Sequence, residues 1–456
     1  MPRMTVAAPP APVRSVPVTH RRVLGIAVPM MFAYASTALV GAVSTAAIGQ
    51  LAQPKLAAGI AIGAIFFDVL LVSLNFLRST TLGLTAIALG QGNGAETRAV
   101  FHRALVTGLG LGLFILALRG LEIRIGLPLL GARGPVYAAA AGYAAIRILA
   151  APVALGNYVI LGALLGRGRA GAGLALQILL NGTNILLCLC TVLGLGWGIT
   201  GAAWAAVAGE TVAFIGGLAL LGRIMGAGAW AGFRRSLGDA AGWRHMGVLN
   251  RDTLIRTIAL LFTFAFFTRQ GAKLGTVVLA ANAVHMQFFA LSANCLDGFA
   301  AAAEQLAGRM IGARDRAGFI RAVRLTLGWS LVSGAAITLL YLGFGQDFVA
   351  LMTRAEPVRQ AAARSLVWAA LVPVVAAAAF QLDGVFIGAT WSRDMRNMML
   401  IALAFFLLCW AVLTPVFGNA GLWVAFLLFL GARGVTLGFV LQARLRSGHR
   451  LAAFGR

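Results

Sequence analysis

Charge is what this chain lacks. Only 11% of its 456 residues are Asp, Glu, Lys or Arg, where a soluble domain carries about a quarter. Acids are scarcest, 13 against 37 basic residues, and lysine is reduced to Lys55 and Lys273. That polar inventory is too small to coat a water-soluble globule of this length, which excludes a soluble enzyme, a disordered scaffold and a coiled coil. Cysteine is also sparse. Cys188, Cys190, Cys295 and Cys409 all fall inside apolar runs without zinc-type spacing, so neither a disulfide frame nor a metal site is indicated. The first 22 residues have no short apolar core ending in a cleavage site. Rich in Pro, Ala and Arg, they are expected to form a cytoplasmic tail rather than a signal peptide.

What fills the chain instead is apolar: 60% hydrophobic residues and a mean hydropathy of +0.89. Each bilayer crossing takes about 20 such residues, so there is room for roughly a dozen. Uncharged stretches cover 23–52, 104–118, 170–209, 274–296, 325–346, 365–382 and 397–432. The two longest must be hairpins, broken at Gly194-Leu195-Gly196-Trp197-Gly198 and at Pro415-Val416-Phe417-Gly418-Asn419. With the segments near 60–77, 137–158 and 257–268, the spacing predicts twelve spans. Their cores lie near 24–48, 56–78, 100–119, 137–160, 171–194, 199–222, 247–268, 275–297, 323–345, 365–389, 396–415 and 420–443. The runs are continuously apolar rather than alternating, so they are helices and not barrel strands.

A net charge of +24 and a pI near 11.7 suggest nucleic-acid binding in a soluble protein, but here the basic residues sit in loops. With the N-terminus inside, one side collects 23 basic residues and the other nine. By the positive-inside rule both termini are cytoplasmic, and no nucleic-acid partner is expected.

The sequence also repeats itself. Gly94–Ala104 aligns with Gly312–Ala322 at an offset of 218 residues, Gly162 and Gly166 with Gly384 and Gly388 at 222, and Gly198 and Gly201 with Gly418 and Gly421 at 220. Six spans per copy is an even number, so both copies start on the same side and the repeats are parallel. The expected architecture is an all-α polytopic membrane protein, twelve transmembrane helices in two parallel six-helix lobes with a central cavity. Its parts are a tail at 1–22, an N-lobe at 23–222, a cytoplasmic linker at 223–246, a C-lobe at 247–443 and a second tail at 444–456.

A carboxylate in the bilayer is costly unless paired, protonated or wet. Asp68, Glu210, Asp297, Glu304 and Asp383 lie within or beside span cores. Asp252 opens the seventh span between Arg251 and Arg256, and these three are expected to border the same cavity as the acids of the later spans. Asp297 and Glu304, seven residues apart, share a helical face. Together with Asp383 they are expected to line a water-accessible lumen, where a desolvated carboxyl group holds its proton more readily and can exchange it as access alternates. A Na+ site would use the same oxygens, and the spacing does not separate the two ions. The weaker candidates have structural readings beside the functional one. Asp68 and Glu210 would be acids paired to an Arg such as Arg147 or Arg433, Asn181 and Asn184 interhelical glue, and His285 a hydrogen-bonded packing residue. Pro29, Pro152 and Pro373 break helices in mid-span and are hinges or static kinks. Phe and Trp residues facing a cavity would suit flat, apolar, cationic cargo.

These segments resemble one family. Pro29-Met30 with Gly41-Ala42-Val43-Ser44-Thr45-Ala46-Ala47-Ile48-Gly49 resembles the first-span signature of multidrug and toxic compound extrusion (MATE) transporters. Phe76-Leu77-Arg78-Ser79-Thr80-Thr81-Leu82-Gly83-Leu84-Thr85-Ala86 resembles the second-span motif of the DinF-like branch. Asn250-Arg251-Asp252, Leu296-Asp297-Gly298-Phe299-Ala300 with Glu304, Asp383–Thr390 and Arg393-Asp394-Met395-Arg396 continue the likeness, which runs from about 22 to 446. The resemblance implies a bacterial-type inner-membrane exporter, without a cofactor, that moves small-molecule cargo by alternating access against H+ or Na+ as coupling ion. It is expected to work as a monomer among membrane lipid. Two positions depart from the pattern: Ser44 and Cys188 stand where DinF-like members carry Asp. Coupling is therefore expected to run through Asp297, Glu304 and Asp383, and the amide of Asp383 or Glu304 is expected to abolish it. Two other transporter readings are a flippase of lipid-linked precursors, which needs a basic cavity for pyrophosphate, and an uncoupled or degenerate member. The supply of arginine inside the spans reads as thin for the flippase. No His/Glu or Ser/Lys constellation supports a membrane-embedded enzyme.

Overall fold

The computed structural model describes residues 17–49, 54–226 and 228–446; most of both expected tails lies outside them. Every regular element in the described residues is helical. The first lobe consists of α1 (His20–Gly49), α2 (Pro54–Ser73), α3 (Phe76–Gly90), α4 (Gly94–Leu129), α5 (Gly134–Arg147), α6 (Ala151–Gly166), α7 (Ala170–Leu189) and α8 (Gly198–Met225). A short α9 (Phe233–Gly238) leads into α10 (Ala240–Lys273), α11 (Thr276–Gly312), α12 (Arg316–Met352), α13 (Glu356–Gly388) and α14 (Ser392–Arg446).

Ten of these segments are long and apolar enough to cross a membrane. The expected twelve spans are all there, because α14 is two crossings and α10 is a more polar one. Gly418, at φ 55° and ψ −129°, breaks α14 at the expected hairpin. The other hairpin opens where α7 unwinds into a π turn at Cys190–Gly194 and turns through Gly196 and Gly198, both at positive φ. The second span is longer than its apolar core: α2 stops at Ser73, turns at Leu74 and Asn75, and continues as α3 to Gly90. Pro152 starts α6 after a 3-10 turn at Ile148–Ala150, whereas Pro29 and Pro373 lie inside unbroken helices.

The repeat is visible in local chemistry. Asn93 caps α4 by accepting the Glu96 N–H at 2.9 Å, and Asp315, 222 residues later, caps α12 by accepting from Gly318 at 2.7 Å. Each such cap is worth about 1 kcal/mol. In the N-lobe, methyl groups on Gly162 and Gly166 would strike the Arg78 and Leu82 carbonyls of α3. In the C-lobe, methyl groups on Gly384 and Gly388 would strike the Ala300 and Glu304 carbonyls of α11. Small residues let backbones approach where lipid supplies no hydrophobic drive.

The lobes meet along α1, α3, α11 and α13. Gly90 lies under the Arg309 carbonyl, Gly308 against Ala86 and the Gly83 carbonyl, and Gly298 against Ala27 and Met31. Nearer the surface, the Trp329 indole donates to His20 Nδ1 at 3.1 Å. All these contacts lie in the half toward the face where α1 begins and α14 ends, hereafter the basic face. The linker belongs to the same face. Asp239 caps α10 and takes Arg103 of α4 at 2.7 Å, while His102 stacks on Trp230 and bonds Ser236 and the Ala229 carbonyl. The first helix of the second lobe is thereby moored to the first.

Candidate functional site

The seam holds three acids and three arginines. Asp383 of α13 accepts two guanidinium groups on one oxygen, Arg256 of α10 at 2.8 Å and Arg433 of α14 at 2.5 Å. Glu304 of α11 is buried, 4.0 Å from Arg78 of α3 across the lobe boundary, and its other oxygen finds no hydrogen-bond partner within the protein. Arg78 is held by Asn75 at 3.1 Å and lies over the Tyr34 ring. Asp297, two turns from Glu304, lies within electrostatic reach of Arg78, Arg256, Arg433 and Asp383. It is only partly buried and makes no ion pair within 4.0 Å among the described residues. At 1.5 Å per residue, Asp297 lies ~22 Å and Glu304 ~12 Å from the end of α11 on the basic face. Gly384 packs on Ala300, so Asp383 enters between those two levels.

The other candidates separate into different places. Asp252 and Arg251, expected beside the seam acids, are not there. Asp252 is fully buried near the basic face, bonded to Arg396 at 2.7 Å, Arg251 at 3.1 Å and Ser392 at 3.3 Å. Of that trio only Arg256, one turn deeper, reaches the seam. His285 is likewise elsewhere. It bonds the Tyr341 hydroxyl at 2.6 Å and the Ala362 carbonyl at 3.0 Å, toward the far face, and all its partners belong to the C-lobe. Asn181 of α7 donates to Ser36 at 2.7 Å and Thr37 at 3.3 Å of α1, and the Asn184 side chain packs on Gly209.

In the N-lobe, Glu210 accepts the Asn157 amide at 2.8 Å, and Arg147 stands within electrostatic reach of both Glu210 and Asp68. Arg147 also lies 4.4 Å over the Phe67 ring. Ser44 and Cys188, the two departures from the motif pattern, face one another: the thiol donates to the hydroxyl at 3.8 Å.

The expectation of scarce arginine in the spans is overturned. Arg78, Arg147, Arg256 and Arg433 all lie inside, each near an acid. The sequence did carry a signal for them, since most other basic residues fall in loops. Pairing hid it: Asp383 is 127 residues from one partner and 50 from the other. Among the described residues no three His, Cys, Asp or Glu side chains gather closely enough to hold a metal ion.

The MatE family profile matches residues 29–190 and again 253–414, once in each lobe. The chain is also 36% identical to the DNA damage-inducible protein F of Escherichia coli, over 94% of this chain and 93% of that one. The chain belongs to the MATE family, in its DinF-like branch. It is therefore a multi-pass membrane transporter, not an enzyme. It is 26% identical to the probable multidrug resistance protein NorM of Rhizobium meliloti, over 94% of each. Its fold matches that of a mutant of the Vibrio cholerae MATE transporter VcmN, with a TM-score of 0.83 at 21% identity over 94% of this chain and 97% of that one. The outward-facing conformation of a multidrug resistance MATE family transporter aligns with a TM-score of 0.83 at 17% identity, covering 94% and 96%.

Proposed function

We propose that this MATE chain exports small amphipathic or cationic organic compounds by alternating access, driven by protons that enter at Asp297 and Glu304. The supporting observation is the state of Asp297: it stands at the seam, partly exposed, among three guanidinium groups yet in direct contact with none. Asp383 is saturated by Arg256 and Arg433 and acts as the fixed counter-charge. Glu304 faces Arg78 across the lobe boundary, so neutralising it weakens an attraction that helps hold the basic half closed. A proton needs one oxygen lone pair, whereas Na+ needs several oxygens at a place already crowded with guanidinium groups, and this favours H+. A lipid-linked pyrophosphate would need surplus positive charge, but the seam's three arginines are matched by three acids. With the basic face cytoplasmic, as the positive-inside rule places it, the closed half faces inward in a plasma (inner) membrane and the protein acts as a monomer.

The test is flux of a fluorescent cationic cargo in proteoliposomes under an imposed ΔpH or an imposed Na+ gradient. Wild type responds to ΔpH, and Asp297→Asn loses that response at least tenfold while folding normally. Undiminished ΔpH-driven flux in Asp297→Asn rejects the proposal, and a response to Na+ alone rejects the choice of ion.

A further inference from the structure

The C-lobe has a second charged site, apart from the seam acids. A cavity of about 440 Å³ opens on the basic face between α10, the α13–α14 turn and the end of α14. Its volume is in the ~300–1,000 Å³ range of small-molecule sites. Four arginines line it, Arg251, Arg393, Arg396 and Arg444, against two acids, Asp252 and Asp394. The acids are already engaged. Asp252 takes Arg396 at 2.7 Å and Arg251 at 3.1 Å, and Asp394 takes Arg444 at 2.6 Å. Arg393 is exposed and forms no ion pair among the described residues. The first residues of α14, Ser392, Arg393 and Asp394, line the same cavity, so the positive end of that helix adds to the surplus.

The other copy of the repeat shows which of these charges the fold requires. At the offset of 222, the turn after α6 puts Gly171, Ala172 and Leu174 opposite Arg393, Asp394 and Arg396. At the offset of 224 between the first spans of the two profile matches, Ala27 and Val28 stand opposite Arg251 and Asp252, and at the offset of 220 in the last span Ile224 stands opposite Arg444. The N-lobe makes the same turn, through Gly168 at φ 72° where the C-lobe has Thr390 at φ 57°, without any of these six charges at the matching positions; its own two arginines, Arg167 and Arg169, stand opposite Ala389 and Trp391. The turn does not need them.

We propose that this cavity binds the phosphate headgroup of an anionic membrane lipid. The guanidinium groups hold the phosphate oxygens, Arg393 and Arg251 most freely because they are exposed. Val248, on the rim and 42% exposed, receives the first methylenes of the acyl chains. Basic pockets at helix ends on the cytoplasmic side suit such headgroups. A free phosphate would use the same guanidinium groups but leave the apolar rim without a partner. The site lies within one lobe and does not depend on the transport reading.

The experiment uses the full chain in detergent, with bound lipid counted by native mass spectrometry. Wild type retains phosphatidylglycerol over phosphatidylcholine. Arg393→Ala and Arg251→Ala each reduce that retention about fivefold, the effect of one surface charge, and the double variant about 25-fold. Neither substitution strips Asp252 of its Arg396 partner, so unchanged melting temperatures show that the variants are folded. Phosphatidylglycerol retained equally by wild type and the double variant overturns the proposal. Displacement of the lipid by millimolar inorganic phosphate overturns it too, by assigning the cavity to a soluble anion.

Discussion

In the N-lobe, Ser44 and Cys188 meet as an uncharged pair, and the acids Asp68 and Glu210 share Arg147, with an amide, Asn157, completing the set. At the C-lobe side of the seam, Asp383 holds two guanidinium groups, and two further acids stand on the facing helix. The frames are nearly superposable in kind: Asx caps at Asn93 and Asp315, glycine ridges on α6 and α13, and hairpins at Gly196 and Gly418. Duplication thus preserved what packing demands and left charge free to diverge, because caps and close approaches are geometric needs shared by both copies while a buried ion pair is not.

The comparison can be broken most forcefully at Asp383. Asp383→Leu leaves Arg256 and Arg433 buried without their carboxylate, a loss of about 3–5 kcal/mol, expected as a large drop in melting temperature or no monodisperse protein. Glu210→Gln in the N-lobe keeps the Asn157 contact and leaves Asp68 beside Arg147, so its cost is expected to be about 1–2 kcal/mol in the same assay. Equal losses for the two would show that the lobes carry their charges alike.

The next test is of what they share. Gly388→Ala forces a methyl group into the Glu304 carbonyl, and Gly166→Ala does the same at Leu82, 2.7 Å away. Each is expected to cost about 1–3 kcal/mol, with Gly388→Ala the worse because it also disturbs the seam with α3. Thermal unfolding of the pair measures the difference.

Function should then separate them cleanly. Asp297→Asn is expected to reduce ΔpH-driven flux at least tenfold and Asp68→Asn less than threefold, measured in the same vesicles; the reverse order moves coupling to the N-lobe. The smallest effect belongs to Cys188→Ala, which removes a weak thiol–hydroxyl contact. It is expected to cost about 1 kcal/mol and to change flux less than twofold. A larger fall in flux would mean that the uncharged pair still takes part in transport.

Some of the buried charges are legible in the sequence and others are not. The seam acids were named because a carboxylate in an apolar run is anomalous by itself. Asp252 is equally anomalous, yet it pairs near the basic face with Arg396, 144 residues away, a partner that helix periodicity cannot reveal. His285 belongs to a separate network in the C-lobe for the same reason. Arg78 carries no local sign of its role inside the second-span motif, since its partner is Glu304 in the other lobe.

Hydropathy and internal repetition alone determined the number of crossings, their helical nature and the doubling of the unit, because lipid obliges every span to satisfy its own backbone. Which acid meets which arginine was decided only when the two lobes closed along α3 and α11. Side-chain charge pairs form across distances in sequence that no local rule constrains, and the balance of charge at the seam is a property of that closure.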